Sequence, residues 1–273
     1  MIDPRFHIIL AGAGPGDPDL VTVKLVNALK EAEIILIDRL VNPEIVTRYA
    51  SPDAVIIPVG KQGYNRDSVS QEDINTLLVE AALSGKKTLR LKGGDVAIYS
   101  NVLSEIDALK KNHINYTIIP GITAASGAAA SLNIPLTARD LASGVQFNTL
   151  SSGQKITDST LQRWAYSKDT LVFYMSIGPL KELLQGLLKF NADPRLPLAV
   201  IEEATTPAQK VSVFNLQTML DNVDRIKFNT PALVIIGRIL ETLDLAGLPD
   251  TQGAASIFNS LITPSINTEL HVI

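Results

Sequence analysis

The sequence has 273 residues, enough for one large domain or two of ordinary size. Hydrophobic residues make up 46% and charged residues 19%, so a packed core is within reach and disorder is not the default. A net charge of −4 argues against a general nucleic-acid binder, and the absence of cysteine excludes disulfides, thiolate catalysis and cysteine-based zinc or iron–sulfur sites. The first ten residues, MIDPRFHIIL, lack the basic and long apolar regions of a signal peptide, and no segment reaches the roughly 18 apolar residues of a membrane span. A cytoplasmic protein with neither membrane nor nucleic-acid partner is therefore expected.

In chain order, His7 to Ala11 is a short apolar strand running into the tight loop Gly12-Ala13-Gly14-Pro15-Gly16-Asp17. Leu20 to Ala32 carries Val21, Leu25, Leu29 and Ala32 on one helical face. Ile34 to Ile37, ending at Asp38, and Ala54 to Val59 are the next two strands. Ser70 reads as the cap of a helix with Asp73 in its first turn, and that helix stops at Gly85. Lys87 to Leu91 (strand), Ser104 to Lys111 (helix) and Tyr116 to Ile119 (strand) continue an alternation that predicts a mostly parallel sheet.

Pro120-Gly121 is the expected domain boundary. A small-residue helix, Ala124 to Leu132, follows it. The strands beyond are Gly144 to Leu150, Thr170 to Met175, Leu198 to Glu202, Lys210 to Asn215 and Ala232 to Arg238. Helices are expected at Thr160 to Tyr166, Pro179 to Lys189 and Leu216 to Asn222. Strands that succeed one another without a helix predict a mixed sheet. The expected units are 1–120, 121–245 and a loosely attached extension over 246–273.

A glycine-rich turn after the first strand, with Asp38 22 residues beyond Gly16, invites a dinucleotide-binding reading. The details oppose it. The glycines are spaced G-x-G-x-G, Pro15 removes a backbone N–H from a loop that would have to donate to pyrophosphate, and Asp17 would set a carboxylate beside it.

Read together, the motifs point elsewhere. They begin with Gly12 to Pro18, Asp38-Arg39-Leu40-Val41, Val59-Gly60-Lys61 and Ser70 to Asn75. Arg90-Leu91-Lys92-Gly93-Gly94-Asp95, Pro120 to Ser126 and Ile134-Pro135-Leu136-Thr137 follow. Leu171 to Met175, Ala204 to Pro207 and Pro231-Ala232-Leu233 complete the series. In this order, over roughly residues 6 to 242, the series resembles the tetrapyrrole (corrin/porphyrin) methylases, and among them the uroporphyrinogen-III C-methyltransferases.

The resemblance implies an α/β protein of two domains, the first with a mostly parallel sheet and the second with a mixed sheet and flanking helices. The active site would lie in the cleft between them, and the protein would be a homodimer. It implies transfer of methyl groups from S-adenosylmethionine, without a metal, to C2 and C7 of the tetrapyrrole uroporphyrinogen III. The product, precorrin-2, leads to sirohaem and cobalamin.

Asp38, at a strand end, is the expected proton acceptor; its bland alternative is a helix cap or an ion pair with Arg39. By resemblance Lys61 is the proton donor, although an ion pair with a substrate carboxylate suits it equally. The resemblance also assigns cofactor contacts to Pro15, Gly93, Gly94, Asp95, Ile98, Thr123, Ala124, Met175, Ala204 and Ala232. For Met175 alone, core packing would be the ordinary role. A polycarboxylate substrate requires cations, for which Arg39, Arg66, Arg90, Lys92 and Arg139 are candidates. The three histidines have no ligand-like spacing. The sequence departs from the family's pattern in four places: Asn101 and Ser104 stand where an arginine and a glutamate are usual, Ala138 where a histidine is, Leu150 to Gly153 where Thr-Gly-His is, and Glu203 where asparagine is common. Three other readings stand beside this one. They are a methylase of the same fold acting on a later corrin intermediate, on RNA or on a protein side chain; a binding protein without turnover; and a nicotinamide-dependent oxidoreductase.

Overall fold

The computed structural model describes residues 7–60, 70–150, 153 and 155–244. Lys61, Arg66 and the 246–273 extension therefore lie outside the described residues. The first half runs β1 (His7–Gly12), α1 (Val23–Glu31), β2 (Ile34–Ile37), α2 (Pro43–Tyr49), β3 (Val55–Pro58), α3 (Gln71–Leu83), β4 (Thr88–Lys92), α4 (Val102–Lys111) and β5 (Asn115–Ile119). Its strands form a parallel sheet in the order β3-β2-β4-β1-β5. The second half runs α5 (Ala124–Ser131), β6 (Val145–Thr149), α6 (Asp158–Ala165), β7 (Thr170–Tyr174), α7 (Leu180–Lys189), β8 (Pro197–Glu202), β9 (Lys210–Asn215), α8 (Leu216–Asn222) and β10 (Ala232–Ile236). Its sheet has the order β6-β7-β10-β8-β9; β6 and β7 are parallel and the other pairs antiparallel.

Strand alternation distributes the core. Ile8, Leu10, Ile34 and Leu36 pack under α3 and α4, whereas Ala11, Ile35, Leu89 and Leu91 pack under α1 and α2. In the second sheet Leu171, Phe173, Leu198 and Val200 face α6, α7 and α8, while Val172, Ala199 and Ile201 face α5. Each sheet is thus covered on both faces, which is why its strands read as continuous apolar runs.

The structure corrects two sequence expectations. The first helix starts at Val23, not Leu20: Thr22 is held extended and its hydroxyl accepts the Leu25 N–H, while Pro18–Leu20 forms a separate 3₁₀ turn. A further helix, α2, was not expected. Asn42 caps it through the Glu44 N–H and Pro43 opens it, a start signal overlooked because the helix is only 7 residues long. The Ser70–Asp73 capping box is present with both reciprocal bonds. Pro120 and Gly121 lie between β5 and α5, where the chain leaves the first sheet for the second.

Candidate functional site

A cavity of about 490 Å³ lies where the carboxyl ends of the first sheet's strands meet the second sheet. Open α/β sheets bind ligands at these strand ends. Gly14 and Pro15 follow β1, Arg39 and Leu40 follow β2, and Gly93, Gly94, Asp95, Ile98 and Tyr99 follow β4; all line the cavity. From the other side come Thr123 and Ala124 at the start of α5, Tyr174 and Met175 at the end of β7, Ala204 beyond β8, and Ala232 and Leu233 of β10. The antiparallel pairing of β10 with β7 and β8 brings its beginning beside their ends.

Close backbone crossings build the cavity floor. Gly14 and Gly94 exchange N–H···O bonds of 3.1 and 2.8 Å, and the Ala13 N–H donates to the Lys92 carbonyl at 2.7 Å. A Cβ on Gly121 would lie 2.2 Å from the Gly94 carbonyl oxygen, so only glycine lets the three loops cross. Asp95 ties the crossing together: its Oδ2 accepts the Gly121 N–H at 2.9 Å and its Oδ1 the Ala97 N–H at 2.6 Å. The first loop also reaches the second half of the chain. Pro15 packs against Gly127 of α5, and the Asp17 N–H donates to Thr205 Oγ1 at 3.1 Å.

Tyr174 carries a polar group into this wall. Its hydroxyl shares a 2.6 Å hydrogen bond with Thr123 Oγ1 and accepts the Ala125 N–H at 3.1 Å, anchoring the first turn of α5. Its ring lies 5.1 Å from that of Tyr99 and 5.9 Å from that of Phe147. Burial pushes the Tyr174 hydroxyl above its ordinary pKa and the Asp95 carboxylate adds to the rise, against the two hydrogen bonds. Tyr99 is raised for the same first reason. Tyr99, Met175, Glu203 and Thr205 all adopt left-handed backbone, an uncommon conformation for residues with a side chain and one that concentrates at functional sites.

Behind the cavity wall is a cluster of four charges. Alternation along β4 turns Thr88, Arg90 and Lys92 toward α3 and α4, where all three are buried. Glu105, in the first turn of α4, meets them: its Oε1 accepts from Arg90 Nε at 3.2 Å, Arg90 Nη2 at 3.1 Å and Lys92 Nζ at 2.7 Å. Arg90 Nη2 also bonds Asp38 Oδ1 at 2.5 Å, and Lys92 Nζ stands 3.8 Å from Asp38 Oδ2. The side chains of Arg90, Lys92 and Glu105 are 1%, 3% and 1% exposed, whereas that of Asp38 is 27% exposed.

All ten positions expected to contact a cofactor line this one cavity, as does Arg39. Met175 is exposed at its rim rather than packed in the core. Asp38 pairs with Arg90 rather than Arg39. Arg90 does not face the cavity; its guanidinium is committed to Glu105, Asp38 and the Leu36 and Leu91 carbonyls, because the centre of a doubly covered sheet leaves no room for a substrate group. Lys92 is buried in the same cluster. Arg139 is exposed in the turn closed by Ala138 and Ala142, away from the cavity lining. Sequence reasoning missed Tyr174, Tyr99 and Glu105 as site residues. Two cations at alternate positions of a buried strand were the available signal for a buried acid opposite them. Among the described residues no group of three or more His, Asp or Glu could hold a metal ion, and no helix is long and apolar enough to cross a membrane.

The tetrapyrrole (corrin/porphyrin) methylase family profile matches residues 7–220. The chain belongs to the tetrapyrrole methylases. This chain is 39% identical over 239 residues to a siroheme synthase of Saccharophagus degradans, covering 88% of this chain and 52% of that protein. It is also 39% identical over 244 residues to the uroporphyrinogen-III C-methyltransferase of Bacillus subtilis, covering 88% of this chain and 50% of that one. The chain thus spans about half the length of the curated relatives it matches. Among solved structures, it resembles the uroporphyrin-III C-methyltransferase of Thermus thermophilus complexed with S-adenosylhomocysteine: TM-score 0.72, 30% identity, covering 86% of this chain and 93% of that one. A cobalt precorrin-4 methyltransferase shares the fold at TM-score 0.76 and 24% identity, covering 86% of this chain and 96% of that one.

Proposed function

We propose that this methylase transfers methyl groups from S-adenosylmethionine to C2 and C7 of uroporphyrinogen III, giving precorrin-2. The observation that carries the proposal is the convergence of all ten expected cofactor positions on one cavity, with the partly exposed Asp38 directly preceding the lining residue Arg39. S-adenosylmethionine suits that cavity. The volume falls within the roughly 300–1,000 Å³ of small-molecule sites. Gly93 and Gly94 let a ligand approach the backbone, and the nearest atom to a Cβ on Gly94 is 3.9 Å away. Pro15, Ile98, Met175 and Ala204 offer apolar contact, and Asp95 a carboxylate.

When bound, S-adenosylmethionine supplies an activated methyl group, its sulfonium becoming the neutral thioether of S-adenosylhomocysteine. The protein has to align donor and acceptor, exclude water and receive one proton. The loops around Gly94 and Gly121 fix the donor side. Asp38 receives the proton that the methylated ring must lose, and Arg39, exposed at the rim, meets a substrate carboxylate. Lys61 is the proposed proton donor and Arg66 a further carboxylate partner.

A later corrin intermediate is the second candidate acceptor, favoured by one observation. Asn101 and Ser104, where the family resemblance implies an arginine and a glutamate, join Gln71 and Asn75 in a neutral hydrogen-bonded chain with steps of 2.9, 3.1 and 2.9 Å.

Replacing Asp38 tests the mechanism. Asp38→Asn is expected to lower methyl transfer to uroporphyrinogen III by about 10²-fold or more, the range of a lost general base, with S-adenosylhomocysteine affinity unchanged by calorimetry. Undiminished transfer would remove Asp38 from the reaction.

A further inference from the structure

We infer that Glu105, buried and outside the cavity lining, is a positioning residue that keeps one oxygen of Asp38 open to receive the proton. The inference rests on Asp38 as the proton acceptor.

Asp38 shares two buried cations with Glu105, and the division between the two acids is unequal. Glu105 takes the Nε–Nη2 edge of Arg90 on a single oxygen and holds Lys92 Nζ at 2.7 Å on that same atom. Asp38 receives one direct bond, from Arg90 Nη2 to Oδ1; the nearer ammonium stays 3.8 Å from Oδ2. That distance exceeds a hydrogen bond, so Oδ2 has no strong partner in the cluster, and Asp38 is its one member with a partly exposed side chain. The arrangement is directional. Oδ1 is fixed by a buried guanidinium that cannot turn, because its other donors hold the Leu36 and Leu91 carbonyls. Oδ2 is the oxygen without a direct bond to either cation, on a side chain that is 27% exposed.

Glu105 is suited to compete for the cations. It sits in the first turn of α4, where the helix dipole favours negative charge, and its Oε2 is buried without a hydrogen-bond partner. As paired ions the four groups are net neutral. Without the Glu105 charge, two buried cations would face one carboxylate, and Lys92 would close on Asp38 Oδ2. An oxygen bonded to ammonium is a poorer proton acceptor than one left free.

Glu105→Gln keeps the shape and removes the charge. The expected result is a fall in kcat of about tenfold or more, with KM for S-adenosylmethionine and S-adenosylhomocysteine affinity within about twofold of wild type. On an Asp38→Asn background the same change should cost less than about twofold more, because a residue acting through Asp38 has nothing left to act on. A kcat within about twofold of wild type overturns the inference, and so does a loss that multiplies in full on Asp38→Asn. Normal activity of Asp38→Asn alone would instead overturn the proton-acceptor assignment beneath it. Should Glu105→Gln fail to fold, the charge-balanced pair Glu105→Gln with Lys92→Met removes the ammonium that would block Oδ2. That double variant should retain methyl transfer within about tenfold of wild type; a loss as deep as that of Asp38→Asn overturns the inference.

Discussion

Single residues carry two roles around the cavity, and they separate by what a substitution leaves behind. Gly94 has φ +66° and lines the cavity, so Gly94→Val sets a β-branched side chain in a disfavoured backbone and into the space above the loop. S-adenosylhomocysteine affinity is expected to fall about tenfold or more, about 1.4 kcal/mol by titration calorimetry; unaltered affinity would contradict the loop's role in binding. Tyr174 works through its hydroxyl. Tyr174→Phe leaves the Ala125 N–H and the Thr123 hydroxyl without that partner, a loss of about 1–3 kcal/mol visible as a lower Tm. The raised pKa of Tyr174 also predicts a sign. The unfolded chain ionises first as pH climbs past 10, so the native state loses stability there, and Tyr174→Phe should lose less of it on alkaline titration. Of these residues, the glycine loop and Asp95 were legible from motif order. Tyr174 was not, because its importance lies in a hydroxyl aimed at a helix 49 residues away in sequence.

At the scale of elements, the strands were the most legible part of the chain, since runs such as Ile34–Ile37 are apolar on both faces and end sharply at polar residues. Helix starts were less so: Thr22 and Asn42 cap by local side-chain bonds that compete with an apolar pattern beginning earlier or not at all. Helix α5 shows why its small residues matter. A Cβ on Gly127 would lie 2.6 Å from Pro15 Cγ, whereas Ala130, on the same helix, is exposed. Gly127→Leu should therefore push α5 away from the Pro15 loop, lowering both Tm and cofactor affinity, while Ala130→Leu leaves both near wild type. Equal behaviour of the two variants by thermal melting and calorimetry would contradict this packing.

Across the whole molecule, the site exists because two differently built sheets present their strand ends to one space. The parallel half supplies glycine turns and Arg39, with Asp38 next to it in sequence, and the mixed half supplies Tyr174, Met175 and the start of β10. Pairing order could be expected in class but not in detail: nothing local in Ala232–Ile236 announces that β10 lies between β7 and β8. Arg90 shows the same limit at longer range. As a sequence feature it was one basic residue among several, and only the sheet order puts it at the buried centre beside Asp38 and Glu105. The homodimer implied by family resemblance predicts a solution mass of twice the chain, measured by light scattering. The central claim is tested most directly by anaerobic transfer of labelled methyl from S-adenosylmethionine to uroporphyrinogen III. Incorporation of two methyl groups per macrocycle, with precorrin-2 as product, is the predicted result; tight S-adenosylhomocysteine binding with no incorporation would contradict it and leave another tetrapyrrole as the acceptor.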